Sequence, residues 1–194
     1  MASRRRGEEL ERAILDAVWE EFLEVGFAKL SMERVAKRAG TSKPVLYRRW
    51  SSRVEMMLAC AASRVPKADS VPNTGSLRGD TMALLTFALA RMRMVGRTAM
   101  LGMLAEVSAD PEARGVLLAG LVNEIVRSLN GSVYARAVKR GELAEEHLTE
   151  RLRRLPFDLL RNEFIILGDV TDEALASILD EVVLPALRAR GASV

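Results

Sequence analysis

Residues 36–50 read AKRAGTSKPVLYRRW, five lysines and arginines around one glycine, with apolar residues spaced helically between them. Ser31 is a preferred N-cap for a short helix over Met32–Ala39, and Gly40, free to take a positive φ, ends it. Ser42 caps the next helix, whose Pro44 falls in the first turn, where a missing N–H breaks no hydrogen bond. Helices of about eight residues are unstable alone, so packing must hold this pair. Leu46 and Trp50, four apart on one face, supply the anchor, and the small Ala36 and Gly40 let the helices cross closely. Two short helices joined by a Gly-Thr turn make a helix-turn-helix.

Charge concentrates at the same place. The whole chain of 194 residues has a net charge of only +3, yet residues 29–53 hold eight basic side chains (Lys29, Arg34, Lys37, Arg38, Lys43, Arg48, Arg49, Arg53) against the single acid Glu33. Residues 1–64 carry 13 Lys and Arg to 9 Asp and Glu, whereas residues 65–194 carry 16 to 17. Such a local excess is the footprint of a phosphate-binding surface. The bland alternative, a solvated amphipathic helix pair, leaves the coincidence of caps, turn, buried anchor and charge unexplained.

Outward from this stretch the pattern stays helical. Leu10, Ile14, Ala17, Val18, Phe22 and Val25 form a 3.6-residue stripe that predicts helix 1 from about residue 7 to 25, with Gly26 as its stop. A fourth helix follows Ser51 or Ser52 and runs to about Val65. Residues 66–80, rich in proline and glycine, read as a loop. Helical patterns resume at about 76–95, 97–108, 111–140, 148–167 and 172–189, separated by Gly96, Asp110-Pro111, Gly141 and Gly168. No stretch alternates as a strand does, and nine aromatic residues are few for a β-sandwich. The expected fold is all-α with about nine helices: a three-helix helix-turn-helix domain over 1–50, joined through helix 4 to a larger helical domain over 51–194.

If Leu46 and Trp50 point inward, the opposite face of helix 3 carries Lys43, Pro44, Tyr47 and Arg48, compact and basic enough for the major groove of double-stranded DNA. Lys43 and Arg48 can donate to guanine O6 and N7, Pro44 can touch a thymine methyl, and Tyr47 and Arg49 suit phosphates. Ser31, Ser42 and Arg53, at helix starts, are further candidates for phosphate contact. Arg4, Arg5 and Arg6 form a basic arm for an adjacent minor groove.

The run GFAKLSMERVAKRAGTSKPVLYRRWSSRVEMMLA resembles the N-terminal domain of TetR-family transcriptional regulators, from the glycine-aromatic pair that ends helix 1 to the Leu-Tyr-x-x-aromatic of the recognition helix. GDVTDEALASILDEVVLPAL is similar to the final dimerising helix of many members. The resemblance implies a homodimer, usually a repressor, that leaves a palindromic operator when a small molecule binds. By position it puts Lys43, Pro44, Tyr47, Arg48 and Arg49 on the recognition helix, and Arg53 where members usually have a phosphate-binding lysine. Thr41 and Pro44 depart from the usual valine and glycine, which bears on the operator rather than the fold.

In the larger domain, residues 80–107 are apolar and rich in methionine, which suits a pocket for varied apolar effectors. Phe87, Met92, Met100, Met103 and Phe157 are the candidate lining, with ordinary core filling as the competing explanation. Arg91, Arg93 and Arg97 can clamp a ligand carboxylate or pair with a nearby acid such as Glu106. Pro156 is expected to kink its helix. Leu160, Phe164 and Leu167, with Leu175, Ile178, Leu179 and Val182, form two apolar stripes read as a four-helix dimer interface, or else as internal core.

The single cysteine, Cys60, fits a reducing compartment, and with no hydrophobic signal core and no run near the ~18 apolar residues of a membrane span the chain reads as cytoplasmic and unattached to membrane. One histidine and one cysteine cannot build the usual metal cluster, and nucleophile-elbow, phosphate-loop and zinc-protease motifs are absent, so no metal, cofactor or enzymatic activity is expected. A helical partner-binding protein leaves the basic stretch unexplained. A sequence-nonspecific architectural DNA binder remains the alternative to a sequence-specific regulator.

Overall fold

The computed structural model describes residues 2–64, 71–109, 111, 115 and 130–189, and every regular element among them is helical. The sequence expectations for 66–70 and for most of the helix over 111–140 lie outside the described residues, as do the side chains of Arg4, Arg5 and Arg6.

Close packing groups α1 (Ala2–Lys29), α2 (Met32–Arg38), α3 (Lys43–Tyr47), α4 (Arg53–Ala62) and, from Thr98 on, α6 (Arg97–Ala109) into one compact unit. This places α4 with the helix-turn-helix, on the other side of the division from where a boundary at 50/51 puts it. α1 lays Ile14, Leu15, Val18 and Phe22 against α2 and α4. The chain breaks at Gly26, whose φ of 72° and ψ of 169° only glycine adopts readily, and this turns Phe27 and Leu30 into the core. Helix 1 therefore continues past its expected end as a kinked extra turn.

The turn after α2 is a Schellman motif: Thr41 N–H donates to the Ala36 carbonyl at 2.9 Å and Gly40 N–H to the Lys37 carbonyl, with Gly40 at φ 63°. Ser31 accepts from the Arg34 N–H and Ser52 from the Glu55 N–H, so α2 and α4 begin at side-chain caps. Ser42 occupies the N-cap position of α3 without a side-chain cap bond. Leu46 is fully buried and Trp50 nearly so, as their spacing predicts, although α3 itself ends at Tyr47.

The second unit contains α5 (Leu77–Val95), α7 (Ala135–Lys139) entered through a π-turn at Asn130–Tyr134, α8 (Glu150–Leu167), α9 (Asp172–Ser177) and α10 (Leu184–Ala189). α8 runs on through Pro156 as one helix, with Pro156 itself buried. The expected helix over 172–189 contains a π-segment at Ile178–Val183, where the Leu184 N–H reaches back to Leu179. Pro185 accounts for it: the ring has no N–H to bond Glu181 and crowds that carbonyl, so the turn before it widens. At the start of α5, fully buried Asp80 accepts from the Thr74 N–H (2.6 Å) and hydroxyl (2.8 Å), from Arg136 Nε (3.1 Å) and from Arg140 (3.4 Å). Burial pushes its carboxyl up, but these donors outweigh that and hold it below the usual value.

Candidate nucleic-acid interface

With Leu46 and Trp50 buried, Ser42, Lys43, Pro44, Tyr47 and Arg48 stand exposed together on the outer side of α3, and Arg49 is half-buried. Tyr47 is 54% exposed. Ser31 is half-buried and its hydroxyl is engaged in capping.

The +7 of the sequence overstates the charge this surface offers. Arg34 and Arg38 both bond Glu21, a buried carboxylate of α1, and Arg38 also pairs with Glu24. Burial pushes the Glu21 carboxyl up, yet the two guanidiniums bring it below its ordinary value. These bonds tie α2 to α1. Lys43 Nζ lies 2.7 Å from Glu33, which holds the ammonium above and the carboxyl below their usual values. Lys29, Lys37, Arg48 and Arg49 have no ion pair among the described residues.

Arg53 requires a correction. At the first residue of α4, its Nη1 donates to the carbonyls of Ala28 (3.2 Å), Leu30 (3.2 Å) and Phe27 (3.4 Å), its Nη2 pairs with Glu106 of α6, and the guanidinium stacks 4.9 Å over the Phe27 ring. The carbonyls it binds belong to the last turn of α1 and the residue that follows it, so its donors point into protein rather than at a phosphate. Sequence periodicity carries no signal for this, because the acceptors belong to backbone.

Other candidates also sit differently from expectation. Leu160, Phe164, Leu175, Ile178 and Leu179 are buried within their own chain, so this stripe is internal core. Leu167 (70% exposed) and Val182 (44%) face outward, and Ile166 (63%), absent from the expected set, joins them. Of the expected pocket residues, Met100 and Met103 belong to the first unit and Phe87, Met92 and Phe157 to the second. Phe157 is buried, Phe87 is exposed and the methionines are half-buried. Arg93 pairs with Asp169 at 2.8 Å and Arg97 Nε donates to the Ile165 carbonyl at 2.6 Å. In the second unit the buried Thr81 and Tyr134 hydroxyls and Arg154 Nε have no hydrogen-bond partner among the described residues, a feature invisible in the sequence. An open groove of about 460 Å³ lies elsewhere, lined by Glu8, Glu11, Arg12, Leu15, Asp16, Ser63 and Arg64. No helix among the described residues is long and apolar enough to cross a membrane.

Comparison with known proteins agrees with this geometry. Residues 14–60 match the family profile described as bacterial regulatory proteins, tetR family, and residues 71–182 match the tetracyclin repressor-like C-terminal domain. An uncharacterised HTH-type transcriptional regulator of Mycobacterium tuberculosis is 32% identical over 167 residues, covering 84% of this chain and 81% of that protein. The DNA-binding transcriptional repressor TetR of Mycobacteroides abscessus is 24% identical over 184 residues, covering 94% and 96%. The crystal structure of a TetR family transcription regulator superposes with a TM-score of 0.75 at 22% identity, covering 90% of this chain and 97% of that one, which shows the shared fold. With a helix-turn-helix presenting an exposed basic face and both halves of the chain matching, the protein belongs to the TetR family of DNA-binding transcriptional regulators, a family of regulators and not of enzymes.

Proposed function

We propose that the chain works in the cytoplasm as a homodimeric repressor that binds a palindromic operator and is released by a small, largely apolar effector. The observation that carries the reading is the exposed face of Lys43, Pro44, Tyr47 and Arg48 on a helix anchored from behind by Leu46 and Trp50. One helix-turn-helix reads too few bases to be specific, and two presented about 34 to 36 Å apart enter successive major grooves. The dimer contact in this reading is the outer stripe of α8, Leu155, Leu159 and Ile166, together with Leu167 and Val182, which are outward or half-exposed apolar groups. Effector binding is assigned to the second unit, where half-buried Met92 supplies adaptable apolar surface and the hydroxyls of Thr81 and Tyr134, without a partner among the described residues, can take a polar group. Repression follows the sign named for the Mycobacteroides abscessus relative.

The test is selection of the purified protein against random duplex DNA near physiological salt, where phosphate-only binding is weak. Enrichment of a palindrome with half-sites about one helical turn apart is the expected result. Binding without enrichment would favour an architectural, sequence-nonspecific role instead.

A further inference from the structure

Lys43 Nζ and a Glu33 carboxylate oxygen stand 2.7 Å apart, on side chains 48% and 74% exposed. An ion pair this open to water contributes little to stability. It does set a hydrogen-bond donor beside an acceptor, at the edge of the face that carries Pro44, Tyr47 and Arg48.

A G·C pair shows the same arrangement with opposite polarity in the major groove. Guanine O6 accepts, the cytosine N4 amino group donates, and guanine N7 accepts next to O6. O6 and N4 are joined by the hydrogen bond of the base pair itself, so they lie about 2.9 Å apart, the usual N–H···O distance. An ammonium over O6 therefore brings a carboxylate held 2.7 Å away over N4.

Resting on the reading of this face as the DNA-facing surface, we propose that Glu33 and Lys43 together read one G·C base pair, Lys43 donating to guanine O6 and N7 and Glu33 accepting from cytosine N4. An A·T pair also offers one donor and one acceptor there, adenine N6 and thymine O4, but in a different setting. The carboxylate over N6 would lie beside the N7 acceptor, which repels it, and the ammonium over O4 would meet the thymine methyl in place of a second acceptor. Both partners are charged at neutral pH, and the hydrogen bond between them holds the Glu33 carboxyl below and the Lys43 ammonium above their ordinary values. Glu33 has a second effect: it competes with phosphates for Lys43, so it lowers affinity for DNA of any sequence.

The experiment selects full-length wild-type, Glu33→Ala and Lys43→Ala proteins from one random duplex library, then titrates each on the wild-type motif and its single-base variants. Wild type is expected to prefer G·C at one half-site position by about tenfold over the other pairs. Both variants should lose preference at that same position and keep the rest of the motif. Glu33→Ala should also bind nonspecific duplex more tightly, with a plot of log affinity against log salt steeper by about 0.9 per added phosphate contact. Since both side chains are exposed, thermal melting should match wild type, which separates readout from folding. An unchanged motif with Glu33→Ala, or preferences lost at two different positions, would overturn the proposal while leaving a sequence-specific regulator standing. A wild-type protein that enriches no motif would overturn both.

Discussion

Arg34 and Arg48 carry the same charge within fifteen positions of each other, yet replacing them with alanine should change DNA binding differently. Arg48 is exposed with no ion pair among the described residues, whereas Arg34 is bonded to the buried carboxylate of Glu21. Each phosphate neutralised contributes about 0.9 to the slope of log affinity against log salt. Were all eight basic residues of 29–53 available, the stretch would contribute a slope of about 7 per protomer. The four without ion pairs among the described residues, Lys29, Lys37, Arg48 and Arg49, limit it to about 3.6. Arg48→Ala should therefore lower affinity at low salt and make the slope shallower by about 0.9 per protomer. Across a rise from about 50 to about 200 mM salt that is roughly a 3.5-fold smaller loss of affinity. Arg34→Ala should leave the slope unchanged, since its guanidinium already has a counter-charge. Fluorescence anisotropy of a labelled nonspecific duplex across a salt series measures both. Equal slope changes in the two variants would refute the idea that intramolecular pairing withdraws these arginines from DNA.

Other expectations follow from burial and bonding. Asp80→Asn should destabilise the protein by about 3 to 5 kcal/mol, because Arg136 and Arg140 lose their buried counter-charge, and urea unfolding measures it. Its depressed folded pKa makes that stability fully present above the unfolded value of about 3.9 and lost as pH falls through the folded pKa, so wild type should lose stability more steeply than Asp80→Asn as an acid titration passes below about pH 4. Tyr134→Phe removes a buried hydroxyl that lacks a partner, so it should cost less than about 1 kcal/mol or stabilise; a loss of several would reveal a bond that the described residues do not contain. Leu46→Ala, at a fully buried site, should cost about 2 to 5 kcal/mol. Ile166→Asp should shift a dimer toward monomer in analytical ultracentrifugation without lowering the melting temperature of the monomer, and an unchanged sedimentation coefficient would move the dimer contact elsewhere.

Much of the local structure around α2 and α3 was legible in the sequence. Ser31, Gly40 and the Leu46/Trp50 spacing are local signals, each acting over one to five residues, and each holds in the structure; of Ser51 and Ser52, the structure selects Ser52 as the cap of α4. The exposed set Lys43, Pro44, Tyr47 and Arg48 then follows by elimination, since burying Leu46 and Trp50 leaves the segment only one outer face. What failed was any inference that needed a partner distant in the chain. Glu21 lies thirteen residues from Arg34 and seventeen from Arg38, and Glu106 lies fifty-three from Arg53. A charge count cannot anticipate those pairings. The stripe of Leu160, Phe164, Leu175, Ile178 and Leu179 failed for a related reason: an amphipathic helix must bury its apolar side, but periodicity does not say whether its own chain or a second copy does the burying.

Sequence by itself determined the helices, the turn between α2 and α3 and the exposed side of α3, because caps, glycine turns and 3.6-residue stripes are encoded by neighbours along the chain. Tertiary structure alone decided which cations pair with an acid among the described residues, that Arg53 bonds the carbonyls at the end of α1, that Glu33 stands beside Lys43, and which apolar groups stay on the surface. These depend on the distance between side chains from different helices. Coulomb attraction and hydrogen bonding act through space at a few ångströms, and only the packing of α1, α2, α3, α4 and α6 brings those groups within reach.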